Sequence, residues 1–155
     1  MPLYDIDAPE IFKFAGLGSQ IASAIATVVL DSWDLWDNDT WAKLLTRAAC
    51  FFGKPMAAGD FIEEHWDLLI RVAALRVLWT TVQSAIGNNA TVVLRGLQHL
   101  TEWQLFFVAW CFMYCGEPNG HDHCNRPLRY VSAFAEVFRC SPYSAMTAPH
   151  ECPLF

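Results

Sequence analysis

The stretch GLGSQIASAIATVVL, residues 16–30, decides how this chain is read. It lies within a run of seventeen residues, Phe14 to Leu30, that carries no formal charge. Three readings compete: a membrane anchor, a buried core helix, or an active-site helix that has lost its chemistry. A bilayer-spanning helix needs about 20 apolar residues. This stretch falls short and lacks Lys/Arg or Trp anchors on both sides, so no membrane span is expected. The pattern predicts a buried helix over Leu17–Leu30. Gly18, Ala22 and Ala26 recur every four residues on one face, small enough to let another element approach closely.

At 155 residues the chain is long enough for one domain with a real core and too short for two. With 54% apolar and 17% charged residues it is more hydrophobic than an average soluble domain, which argues against disorder. Seven Trp and eleven Phe imply either heavy burial or surface meant to be covered by something else. A net charge of −6 without any Lys/Arg cluster excludes a nucleic-acid partner. Six cysteines, with glycosylation acceptor triplets at Asn38-Asp39-Thr40 and Asn89-Ala90-Thr91, point to an oxidising, secretory environment. Free thiols in a cytosolic protein are the competing reading. The opening MPLYDIDAPE has neither the basic start nor the apolar core of a signal peptide. An extracellular protein would therefore be represented here by a mature form, a fragment or an incomplete gene product.

The remaining pattern is helical almost throughout. Asp39 or Thr40 caps a second helix reaching about Phe52, with Leu44, Leu45 and Ala48 on one face, and Gly53-Lys54-Pro55 ends it. Asp60 to about Ser84 forms the longest periodic segment, with Ile62, Leu69, Ala73 and Val77 on one stripe. Thr101 and Gln104 make a capping box that starts the apolar helix EWQLFFVAWCFMYC. The Gly and Pro content of GEPNGHDHCNRP predicts a loop. A last helix, about Arg129 to Phe138, precedes an irregular tail. The expected fold is mainly α, about five helices in a single domain over residues 1–155.

The C-terminal half carries a specific constellation: TEWQLFF, then Cys115, His123 with Arg129 six residues on, FAEVFRC, Met146 and the ending CPLF. It resembles the end of the neprilysin-like family of zinc metallopeptidases. In that family a QLFF helix runs to a Trp-Cys pair, here Tyr114-Cys115, and a His and an Arg follow at this spacing. Upstream, PLYDIDAPEIFKFAGLGSQIA is similar to the family segment in which a proline-containing lead passes into a Gly-rich turn and the zinc-binding helix. Trp36, Leu44, Arg47 and Cys50 match family positions beyond that helix, and Gly59 to Glu64 lie where the family has Gly-Glu-Asn-Ile-Ala-Asp. The resemblance covers nearly the whole chain. It implies a truncated C-terminal peptidase domain, the helical zinc-bearing part of a zincin fold, without the N-terminal lobe.

Zincin chemistry needs two His at i and i+4, a Glu after the first His to polarise water, and a third ligand from a later helix. Setting Ile21 on the family Ile puts Ser23 at the first His, Ala24 at the general base and Thr27 at the second His. Asp60 stands at the third-ligand position, a Glu in the family, and Glu64 at that of the Asp that orients an imidazole. Neutral hydroxyls are poor zinc ligands, and without a base no water is activated. The expectation is a chain with no zinc cofactor and no intact catalytic residue.

His123 and Arg129 persist as vestigial contacts; in the resembled family the His bonds the developing oxyanion and the Arg helps hold substrate. Without a nucleophile an oxyanion contact has nothing to stabilise. Two roles remain open: holding a peptide carbonyl or carboxylate, or a structural one, with Arg129 paired to Asp60 or Glu64 and His123 in a partly exposed loop. His121, Asp122, His123 and Cys124 are all metal-capable, yet neighbours in sequence cannot all point at one ion. Ser23 lacks the Gly-x-Ser-x-Gly context of a hydrolase nucleophile.

The resemblance implies a Cys50–Cys152 disulfide, closing a loop of about a hundred residues and contributing roughly 4 to 5 kcal/mol in the chain-entropy model. Cys115 and Cys140 match family cysteines whose partners lie in the missing lobe, and Cys111 and Cys124 are additional. The four can pair in three ways, or Cys115 and Cys140 stay free if the chain is a fragment. The leading expectation is a catalytically inactive, secreted pseudopeptidase acting as a binding or decoy module for a peptide or protein ligand. Trp66, Trp103 and Trp110 are then either surface that a lost lobe once covered or part of a rebuilt core. The alternatives are a piece of a longer zinc metalloendopeptidase and a non-functional remnant.

Overall fold

The computed structural model describes residues 6–60, 63–87, 92–148, 152 and 153, apart from the side chains of Trp33, Ala58, Glu63 and Glu64. Among the described residues the fold is mainly α, with no strand. The order is α1 (Glu10–Lys13), a π-helical turn (Phe14–Gly18), α2 (Ser19–Asp31), a 3-10 turn (Trp33–Leu35), α3 (Asn38–Phe52), a second 3-10 turn (Ala58–Asp60), α4 (Glu63–Ile86), α5 (Glu102–Phe112), α6 (Gly120–Leu128) and α7 (Ser132–Phe138).

The Gly-rich turn expected before residue 19 is itself helical. The chain passes from α1 through the π turn into α2 as one helical run over Glu10–Asp31. Local propensity opposes this, because each helical Gly costs about 1 kcal/mol against Ala. Tertiary burial outweighs it: Ile11 and Ala15 are fully buried in a cluster with Leu75, Leu78, Phe106 and Phe107. Gly18 lies where a Cβ would stand 3.3 Å from the Leu78 side chain, so the run packs closely on α4. Buried Ser19 donates its hydroxyl to the Gly16 carbonyl at 2.8 Å within the widened turn.

Helix α4 is the axis of the molecule. Its start packs with Leu30, Leu44, Ala48 and Phe51 around Leu68, Leu69 and Val72. Its second half packs with α1, α5 and Val131 around Leu75, Leu78 and Val82. The α1–α2 run is therefore antiparallel to α4. The single stripe expected on α4 is replaced by burial on several sides, because neighbours flank it; Val77, assigned to that stripe, is 60% exposed instead. Ile62 lies outside the described residues.

Helix α3 begins two or three residues earlier than expected. Asp37, rather than Asp39 or Thr40, accepts hydrogen bonds from the backbone N–H groups of Asp39 and Thr40 at 3.0 and 2.9 Å. These bonds, that of Thr40 foremost, hold its carboxyl below the usual range. Gly53, left-handed at φ 65°, ends α3 where expected. The capping box of α5 forms as read, with Gln104 N–H donating to Thr101 Oγ1 at 3.2 Å and Thr101 N–H to Gln104 Oε1 at 2.9 Å.

The segment expected as a loop, GEPNGHDHCNRP, contains α6 instead, and the last helix begins at Ser132 rather than Arg129. Gly116 and Pro118 precede α6. Within α6 Gly120 occupies the first turn, where a Cβ would collide with the Tyr114 carbonyl oxygen, and Pro127 the last, where it has no N–H for an intrahelical bond. A disulfide from Cys124 to Cys111 ties α6 to α5, and a second joins Cys50 to Cys152 with sulfurs 2.01 Å apart. Cys115 and Cys140 are free. The aromatic surplus is largely internal: Trp110 is 2% exposed, Trp103 packs edge-on to Trp79 at 5.3 Å, and Trp66 stacks on Trp41 at 6.3 Å. The large exposed apolar side chains are mainly aliphatic, Ile21, Ile25 and Val28 among them.

Candidate functional site

Two places come into question: the face of α2 that bears Ser23, Ala24 and Thr27, and the cleft beside His123. On α2, Ser23 and Thr27 are half-buried and Ala24 is exposed. The Thr27 hydroxyl donates to the Ser23 carbonyl at 2.9 Å, one turn back along its own helix. Its proton is thus already placed within the helix, and the oxygen that would face a metal is a neutral hydroxyl. Asp60 is exposed on the 3-10 turn before α4, where its Oδ2 accepts from the Ala57 N–H at 2.8 Å. Its carbonyl lies 3.1 Å from His65 Nδ1. The side chain of Glu64 is outside the described residues. Among the described residues no three His, Cys, Asp or Glu side chains come together. A backbone-bonded threonine, an alanine and a serine do not fit the donor set a catalytic zinc requires.

The second place is polar. A cleft of about 290 Å³ is lined by Asp67, Arg71, Asn119, Asp122, His123 and Arg126, among others. Asp67 and Arg71 are one turn apart on α4, and Arg71 Nε lies 2.8 and 2.7 Å from the two Asp67 carboxylate oxygens. The Arg71 guanidinium also lies 4.9 Å from the centre of the Tyr114 ring. Burial opposes the Arg71 charge, but the hydrogen bonds it donates to Asp67 and the charge of that carboxylate outweigh it, and its pKa is raised. Burial pushes the Tyr114 hydroxyl up as well. His123 stands edge-on to Tyr114 at 6.0 Å, with Nδ1 3.5 Å from Glu117 Oε2.

His123 therefore belongs to a helix and a cleft, not a loop. Arg129 does not join it: six residues on, it caps α6, is exposed, and has no ion-pair partner among the described residues. Of the two expected pairings, that with Asp60 is absent among the described residues, and that with Glu64 falls on a side chain outside them. The Arg129 backbone carbonyl accepts the Ala148 N–H at 3.0 Å, which holds the tail. His121 and Asp122 approach at 3.4 Å on the exposed side of α6, while Cys124 is taken by its disulfide. Sequence reasoning missed Asp67, Arg71 and Arg126. An acid four residues before a base on a predicted helix was the available signal for the first two.

Fold and sites together define a helical, disulfide-closed protein with a largely apolar α2 and a polar cleft between the first half of α4 and α6. No family model matches the sequence, and no solved structure matches it. Among curated proteins the chain is similar to Neprilysin-1 of Caenorhabditis elegans, 24% identical over 196 residues that take in 97% of this chain and 25% of that protein. The chain thus spans about a quarter of the length of that relative. The likeness is a distant one to a peptidase-related protein.

Proposed function

We propose that the chain is a degenerate neprilysin-like pseudopeptidase that binds a peptide or protein ligand without cleaving it, in the manner of a secreted binding or decoy module. The observation that carries this reading is the α2 face: Ser23, Ala24 and Thr27 offer neither ligand nor base, and the Thr27 hydroxyl is committed to the Ser23 carbonyl. The cleft of Arg71, His123 and Arg126 supplies cationic and hydrogen-bonding groups suited to a peptide carbonyl or carboxylate. Two disulfides fit the secretory pathway. The acceptor Asn38 is exposed in the first turn of α3, and Asn89 lies outside the described residues.

The test is metal analysis of purified protein together with a peptide library, screened for binding and for cleavage. Peptide binding that His123→Ala weakens, without chelator-sensitive cleavage, is the expected result. Stoichiometric zinc with chelator-sensitive cleavage sinks the reading. A second reading, a segment of a longer metallopeptidase-like protein, is favoured by the quarter-length match and by the free Cys115 and Cys140.

A further inference from the structure

Three of the six cysteines meet at one groove. The groove, of about 290 Å³, is lined by Cys111, Phe112, Cys115, Asn125 and Leu128, among others. Cys111 is bridged to Cys124, and Asn125 Oδ1 lies 3.4 Å from the Cys124 sulfur. Cys115, one turn beyond Cys111 in the chain, is free and exposed. A thiol and a disulfide therefore share the groove, and both bridging cysteines are only half-buried.

The turn that carries Cys115 is held against α6 and is free to swing on its other side. Helix α5 ends at Phe112, and the Cys115 N–H donates to the Phe112 carbonyl at 3.1 Å in the turn that follows. Tyr114 is buried, and its carbonyl comes so close to Gly120 that no Cβ fits there. Gly116 comes next, left-handed at φ 89° with open space around it. Cys140 is no rival partner for Cys115. The Gln104 side-chain N–H donates to the Val137 carbonyl at 3.2 Å, which puts the end of α7 beside the start of α5. From there to Cys115 is about 16 Å along α5 and the turn after it, whereas a disulfide needs its Cα atoms within about 7 Å.

We infer that Cys115 exchanges with the disulfide beside it, so that α6 has two alternative staples. The Cys115 thiolate attacks the Cys124 sulfur; the Cys115–Cys124 bond forms, the Cys111–Cys124 bond breaks, and Cys111 leaves as the thiolate. The proton that Cys115 gives to water is regained at Cys111, and no oxidant or reductant is consumed. Attack on Cys111 would instead bridge two residues of one chain turn, whose side chains run alongside rather than toward each other. Moving the bond from Cys111 to Cys115 displaces its anchor by about 6 Å along α5. Cys124 adjoins His123 on α6, so the exchange repositions the polar cleft. Only the effect of that shift on a ligand rests on the peptide-binding reading.

The test is peptide mapping without reduction, on the 155-residue protein held at about pH 8.5, where free thiols are partly ionised, and then capped with N-ethylmaleimide. Either staple leaves two thiols to cap, so fragments rather than intact mass decide. A Cys115–Cys124 fragment with capped Cys111 is expected in at least about 1% of chains, the range of a populated minor state, and should vanish in Cys115→Ser. Cys111→Ser, oxidised in a glutathione buffer, should pair Cys115 with Cys124 and take one cap, at Cys140. Its His123 ring resonances should depart from those of the wild type, while those of Cys115→Ser should match them. Wild type with Cys111–Cys124 alone, capped Cys111 persisting in Cys115→Ser, or three caps on Cys111→Ser would each overturn the exchange. Unmoved His123 resonances in a correctly paired Cys111→Ser would overturn its link to the cleft.

Discussion

Arg76, midway along α4, donates from Nη2 and Nε to the carbonyl oxygen of Tyr130 at 2.6 and 3.2 Å. Tyr130 in turn donates its hydroxyl to the Phe51 carbonyl at 3.0 Å, with the Phe51 and Tyr130 rings 4.9 Å apart. The Arg76 guanidinium lies 5.8 Å from the centre of the Phe51 ring. One half-buried cation thus joins the central helix, the end of α3 and the segment between α6 and α7.

Replacing that cation should cost more than removing the phenol. Arg76→Met leaves the Tyr130 carbonyl without its charged donor and should lower stability by about 1.5–3 kcal/mol, whereas Tyr130→Phe keeps the carbonyl bond and should lose about 1 kcal/mol. Urea unfolding of both variants checks the order, and equal losses would show that the carbonyl contact contributes little.

The two disulfides should differ in worth. Cys50–Cys152 closes a separation of 102 residues and Cys111–Cys124 one of 13. In the chain-entropy model their removal costs about 4.7 and about 3 kcal/mol. Against a usual total of about 5–15 kcal/mol, Cys50→Ser with Cys152→Ser should bring the chain near unfolding. Denaturant midpoints of the two double variants measure the difference.

Thiol labelling tests the cysteine assignment directly. Under native conditions iodoacetamide should add to Cys115 first, because it is exposed, and to half-buried Cys140 more slowly. Intact mass should stop at two additions; four would mean that one disulfide is open.

The α3 cap predicts an acid limb. The folded-state pKa of Asp37 is depressed, chiefly by the Thr40 N–H and next by its hydroxyl. Its stabilisation is therefore complete above the unfolded carboxylate value of about 3.9 and is lost as the pH falls through the lower folded value. Asp37→Asn should keep the cap at neutral pH and flatten the dependence of Tm on pH below about 4. Asp37→Ala should lower Tm at neutral pH. A wild-type profile parallel to that of Asp37→Asn would remove the cap from the account.

Rebuilding the helix motif should not rebuild an enzyme. Ser23→His, Ala24→Glu and Thr27→His together place two imidazoles one turn apart, enough for weak zinc binding. Asp60, however, stays bonded to the Ala57 N–H on the turn before α4. Isothermal titration with zinc and a peptide cleavage assay on the triple variant check this; efficient cleavage would contradict it.

The parts legible in sequence were those whose determinants lie within a turn or two. Thr101 and Gln104 are three residues apart and cap α5 as read, and Gly53 ends α3 as read. The cap of α3 lies two or three residues before the expected one because Asp37, Asp39 and Thr40 are all competent, and only the backbone geometry selects Asp37. The segment around His123 reads as a loop in sequence, since what ties α6 down is a bond between Cys124 and a cysteine on another helix. The cleft was missed for the same reason: Asp67 and Arg71 are neighbours on α4, but His123 and Arg126 reach them only when α6 folds back.

Local pattern and composition were sufficient for a mainly helical chain, because caps and apolar spacing act within a few turns. Which apolar residues are buried was beyond them. Ile11 and Ile25 are both isoleucines of one helical run, yet Ile11 is fully buried and Ile25 is 60% exposed. The difference arises because α5 covers one side of that run while nothing among the described residues covers the other. Hydrophobicity acts on whatever surface can be removed from water, and only the packing of distant helices says which surface that is.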